Sequence, residues 1–160
     1  MKAKSKKNLE TFGISKGEGK YHEEIIYSMA LLYNIVNADI ANYLKEYDLT
    51  IGKLNILVAV KHHGKDEGIP QVGVSKHLIV TPSNMTKMID KLEKDKLVVR
   101  SALQGDRRVN IIKITKKGSD LLDLIWEGYN QILKNSISCM NQDKQKQLSG
   151  LLTEWFEKVH

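Results

Sequence analysis

Between residues 50 and 118 the spacing of apolar residues changes period twice, from three-or-four to two and back, and few small folds accommodate that. Leu54, Leu57, Val58 and Val60 define a helical face behind Thr50, whose hydroxyl suits an N-cap, and the segment should end near His63 and Gly64. After a polar turn over 65–68, Pro70 fits the first turn of a short helix over 71–78, with Val74 and Leu78 facing inward. A break at Ile79 and Val80 precedes Thr81 and Pro82, an N-cap with proline at the first helical position, which opens a further helix to about Asp95. Two short helices separated by three or four residues have helix-turn-helix spacing. The pattern then turns strand-like in LVVRSAL (97–103) and VNIIKIT (109–115), and the QGDRR between them carries turn chemistry at Gly105 and Asp106. Helix, turn, helix, hairpin is the order of a winged helix.

Longer helical stripes flank this centre. Over 21–47, Ile25, Met29, Leu32, Val36, Ile40, Tyr43 and Tyr47 recur at steps of three and four, and Ile26, Ala30, Tyr33 and Leu44 widen the stripe beyond the needs of one small core. A second partner surface is expected there. Thr115 caps a fifth helix carrying Leu121, Leu122, Ile125, Tyr129, Ile132, Leu133, Ile137 and Met140. Asn141 caps a sixth, with Leu148, Leu151, Leu152, Trp155, Phe156 and Val159. Residues 1–20 hold clustered lysines and three glycines without periodicity and read as a flexible basic arm. The expected fold is mainly α with a small β-hairpin, one domain over 21–160. Its winged helix-turn-helix spans about 50–118, and long terminal helices span about 21–47 and 116–159.

Charge is concentrated in the same centre. Residues 50–118 contain 14 Lys and Arg against 6 Asp and Glu, whereas residues 1–49 are balanced and 119–160 are slightly acidic. Such a segment attracts polyanions. On a helical wheel of the fourth helix, Met85, Met88, Ile89 and Leu92 fall within about 100° of arc and point to the core. Ser83, Lys87, Asp90 and Lys94 lie opposite, with Thr86 and Lys91 beside them. Small donors and acceptors at Ser83, Asn84 and Thr86, followed by Lys87 and Lys91, suit a helix entering a major groove. At the hairpin tip Arg107 and Arg108 suit the negative potential of a narrow minor groove. Asp106 beside them is expected to orient the wing by holding an arginine in one rotamer.

The stretch TPSNMTKMIDKLEKDKLVVR, followed by DRRVNIIKITKKG, resembles the recognition helix and wing of the MarR family of winged-helix transcriptional regulators. The resemblance covers about residues 21–158 in element order and is specific over 81–118. It implies that Asp106 and Arg108 form the family's Asp-x-Arg wing pattern, with Arg108 in the minor groove, and that Lys87 is the basic residue of the recognition helix. Leu97, Val98 and Arg100 match a Leu-Val-x-Arg run. It also implies a homodimer joined through the first and last helices, bound as a repressor to a pseudo-palindromic operator in double-stranded DNA and released by a small aromatic effector. Two departures stand out. Lys96 occupies a position where the family commonly has glycine, so it must enter the left-handed region at about 1 kcal/mol or alter the helix exit. Lys87 replaces a commoner arginine, which weakens bidentate reading of guanine.

Enzymatic chemistry finds no support. Five histidines and one cysteine make no triad, phosphate loop or HExxH signature, and no cofactor or metal is expected. His62 and His63 are adjacent and point about 100° apart on a helix, too divergent to share a ligand easily. Cys139, near the end of an apolar helix, is expected as core filling. Tyr33, Tyr43, Tyr47 and Trp126 could contribute to an effector pocket, although aromatics at this spacing are more often plain core. With no signal-peptide core and no membrane-length apolar run, the chain is expected in the cytoplasm. The alternative reading is a winged-helix protein-interaction module without specific DNA binding.

Overall fold

The core forms where the two apolar periods meet. The computed structural model describes residues 9–14, 17, 19–78, 84–103 and 105–159, apart from the side chain of Arg107. The chain divides after Asp39 into two units. In the first, Leu9–Phe12 form a single 3-10 turn and Ile14 is buried, so this part of the expected arm is ordered by an apolar anchor. Residues 1–8, 15, 16 and 18 lie outside the described residues. Helix α1 (Tyr21–Leu44) begins in this unit, where Ile25, Ile26, Met29, Leu32 and Ile35 are all exposed.

The second unit takes in the last turn of α1, whose Ile40 and Leu44 are buried. A 3-10 turn, Lys45–Tyr47, completes the expected stretch. Asp48 then sits at φ 53, and the Leu49 N–H reaches back to the Leu44 carbonyl at 3.1 Å, which satisfies the helix end. Helix α2 (Ile51–Gly64) starts as its sequence requires: the Thr50 hydroxyl accepts from the Lys53 N–H at 3.2 Å. Next come β1 (Ile69–Pro70), α3 (Gln71–Val74) with a 3-10 extension Ser75–His77, and α4 (Met85–Lys94). Strands β2 (Val98–Leu103) and β3 (Asp106–Ile114) form the hairpin, followed by α5 (Lys116–Ile137) and α6 (Gln142–Val159).

The three strands make an antiparallel sheet in the order β1-β3-β2, with Ile69 and Arg100 both opposite Ile112. Strand β1 was not anticipated, and Pro70 lies in it, one residue before the helix it was expected to open. Two residues are too few to show alternation, and an edge strand tolerates a residue without an N–H. Strand β3 begins at Asp106, three residues before Val109, so Arg108 belongs to a strand and the tip is narrower than expected. Helix α4 opens at Met85 with Asn84 as its N-cap residue; the expected cap at Thr81, with Pro82 and Ser83, lies outside the described residues.

Leu44, Ile56, Leu57, Val60, Val74, Ile89, Leu92, Val98, Ile112 and Ile125 are fully buried. They come from α1 to α5 and two strands, so one core sets the positions of α4 and the hairpin. Helix α6 contributes no buried residue. Its cap is as expected, the Asn141 side chain accepting from the Lys144 N–H at 3.0 Å, but its apolar stripe is exposed. Cys139 is exposed rather than core filling, because α5 stops at Ile137 and the cysteine falls in the turn to α6.

Candidate nucleic-acid interface

Helix α4 is held by Ile89 and Leu92, both fully buried, with Met85 and Met88 half-buried on the same side. That leaves Asn84, Thr86, Lys87, Asp90, Lys91 and Lys94 exposed on the other. Asn84 makes no side-chain cap bond, so its amide remains available outward. Thr86 Oγ1 accepts from Gln71 Nε2 at 3.4 Å, a contact from α3 that the sequence reading missed. Ser83 lies outside the described residues.

The exit of α4 carries the departure seen in the sequence. Lys96 adopts φ 60, the left-handed region that glycine would fill without strain. Its N–H reaches the Glu93 carbonyl and the Leu97 N–H reaches the Leu92 carbonyl, both at 2.9 Å, while Leu92 and Leu97 are both buried. That is a complete Schellman closure, and it retains the helix end despite the lysine. Thr115 then ties this exit to α5. Its N–H donates to the Leu97 carbonyl at 3.0 Å, and its hydroxyl proton is shared between the carbonyls of Lys96, at 2.8 Å, and Leu97, at 3.1 Å. The same oxygen accepts from the Gly118 N–H at 3.0 Å, capping α5. A Cβ at Gly118 would collide with the Leu97 carbonyl, so only glycine permits this approach.

Charge pairing separates anchors from free cations. The Arg100 guanidinium lies 2.6 Å from Asp90 and 3.7 Å from Glu93, and its backbone N–H donates to Glu93 at 3.2 Å, fastening β2 to α4. Lys53 Nζ meets Asp95 at 2.9 Å, fastening α2 to the end of α4. The signal for Arg100 was available: acidic residues at i and i+3 on α4 face a lone arginine on the adjoining strand. Among the described residues, Lys87, Lys91 and Arg108 form no ion pair. At the wing, Asp106 Oδ1 accepts from the Arg108 backbone N–H at 2.9 Å. The carboxylate therefore holds the Arg108 main chain, and the side chain of Arg107 lies outside the described residues. Gly105, at φ 92, makes the turn, and Gln104 lies outside the described residues.

A family model described as transcriptional regulator SarA/Rot matches residues 40–125, more than half of the chain and the whole of the winged-helix stretch. The chain belongs to this family. Its relatives are helix-turn-helix transcriptional regulators. The HTH-type transcriptional regulator MhqR of Bacillus subtilis is 26% identical over 120 residues, covering 75% of this chain and 81% of that protein. Among solved structures, a MarR-like transcription regulator from Bacillus cereus has TM-score 0.80 at 20% identity, covering 89% of this chain and 100% of its own. The S. aureus MepR–DNA complex has TM-score 0.72 at 19% identity, covering 82% and 96%. The chain is a transcriptional regulator of the SarA/Rot family, a class that is not enzymatic, and it has the fold of MarR-like winged-helix regulators.

Among the described residues no three His, Cys, Asp or Glu side chains gather to hold a metal, and no helix is long and apolar enough to cross a membrane. His63 stacks on His77 at 3.7 Å between ring centroids. The Tyr43 hydroxyl donates to the Ile125 carbonyl at 3.1 Å and fills the gap left by Gly128, where a Cβ would strike the ring. Burial, then the hydrogen bond with Tyr47, pushes its pKa up to about 12. Tyr43 is thus a joint between α1 and α5. Tyr33 is exposed, and Trp126 stacks on Tyr129.

Proposed function

We propose that this regulator is a homodimeric, sequence-specific DNA-binding repressor acting on a pseudo-palindromic operator in the cytoplasm. Each subunit lays α4 in a major groove, with Ser83, Asn84 and Thr86 toward base edges and Lys87 and Lys91 toward phosphates, and sets the wing, with Arg107 and Arg108, at the flanking minor groove. The observation that carries the reading is the pairing of charge in the centre. The anchoring cations Arg100 and Lys53 are neutralised, whereas Lys87, Lys91 and Arg108 are exposed beside the reading helix and on the wing. That the similarly folded MepR was solved with DNA supports it.

Dimerisation uses apolar residues exposed on α1 and α6. A small aromatic effector releases the operator by changing the distance between the two recognition helices. A cleft of about 180 Å³ lined by Val58, Lys61, His62, Leu122, Asp123 and Trp126 is of a size for one ring. The test is a mobility-shift titration across salt concentrations. Arg108→Ala should weaken operator binding and flatten the log–log salt slope by about one to two units per dimer. Wild-type affinity independent of salt, or an unaltered slope in Arg108→Ala, would overturn the reading and favour a protein-docking wing.

A further inference from the structure

We propose that Gln71 is a positioning residue that sets the hydrogen-bonding sense of Thr86 at the DNA interface; this rests on the reading of α4 as the recognition helix. Gln71 opens α3 and is half-buried, and its Nε2 lies 3.4 Å from Thr86 Oγ1. Its Oε1 is buried and has no hydrogen-bond partner among the described residues. A buried acceptor without a partner is unfavourable, and a methionine of similar length would suffer no such penalty, so packing alone does not explain an amide here. The orientation follows from counting donors. As placed, Nε2 spends one of its two protons on Thr86 and the buried atom left without a partner is Oε1; turned the other way, the amide would bury the two-proton NH2 end away from Thr86.

The consequence lies at Thr86, which is exposed on the outward face of α4. A hydroxyl has one proton and two lone pairs. With one lone pair occupied by the Gln71 N–H, the Thr86 proton turns outward and the residue meets DNA as a donor. In the major groove guanine offers two acceptors and thymine one, whereas cytosine offers a donor. Thr86 so held favours guanine or thymine over cytosine at the base pair it faces. Gln71 touches no base; it acts through Thr86.

The experiment uses the full chain and a randomised DNA duplex library, followed by competition with single-position variants of the selected site. Variants are Gln71→Met, Gln71→Glu, Thr86→Val and the double variant Gln71→Met/Thr86→Val. Gln71→Met should lose about tenfold in discrimination at one base position, while affinity for random duplex stays at the wild-type value and the melting temperature does not fall. Thr86→Val should lose the same discrimination, and the double variant no more than either single change. Gln71→Glu keeps the length and planarity, accepts the Thr86 proton, and should move the preference toward a base with an exocyclic amine; it also serves if Gln71→Met unfolds. A wild-type preference unchanged in both Gln71 variants, additive losses in the double variant, or a uniform loss over all sequences overturns this inference alone. A wild-type protein without base preference overturns it together with the repressor reading.

Discussion

Helices α4 and α6 are both amphipathic, yet the chain treats them in opposite ways. In α4, ten residues long, Ile89 and Leu92 are completely buried by α2 and the hairpin side of the core. In α6, eighteen residues long, Leu148, Leu151, Leu152, Trp155, Phe156 and Val159 recur with the same helical spacing, and all remain exposed. An apolar stripe says that a face seeks cover; it does not say that the same chain supplies it. Among the described residues the fully buried core comes from within residues 40–125, and the apolar stripe of α6 stays at the surface.

The strongest way to break that contrast is in the core. Ile112→Ala, at the centre of the sheet, should lower unfolding free energy by about 2–5 kcal/mol in chemical denaturation. On α6 the expected effect moves from folding to association. Trp155→Ala should weaken self-association by roughly 2 kcal/mol, seen as a shift toward monomer in sedimentation equilibrium, and should leave heparin retention unchanged. Unaltered association would show that α6 is not the covered face. At the end of α4, Lys96→Gly should raise stability by about 1 kcal/mol, because φ 60 strains a lysine and not a glycine; a thermal melt checks it. A further effect is expected at high pH. Tyr43 has its folded pKa raised from 10.0 to about 12, so the stability held by its neutral hydroxyl is complete below pH 10 and is lost as pH rises toward 12. Denaturation midpoints measured across that window should fall less steeply in Tyr43→Phe.

Legibility in the sequence followed the range of the interactions. Thr50 and Thr115 act over three residues and could be placed as caps from their neighbours alone, and the strain at Lys96 follows from one missing glycine. The hairpin was visible because two β-branched runs flank a glycine. Strand β1 was not visible, since two residues become a strand only when β3 pairs with them. The candidate site divides likewise: the outward residues of α4 can be counted on a wheel, but the bond from Gln71 to Thr86 joins positions fifteen apart, across a break. Cys139 was misplaced because an apolar run continued past the last residue of α5, and periodicity alone does not mark where a helix stops.

The Leu97 carbonyl receives the Thr115 N–H and hydroxyl at the start of α5, one residue after the Schellman turn that ends α4. With the Lys96 carbonyl also accepting from that hydroxyl, the two helices are tied through two adjoining peptide groups. A rotation of the first turn of α5 must therefore be followed by the exit of α4 or break these bonds.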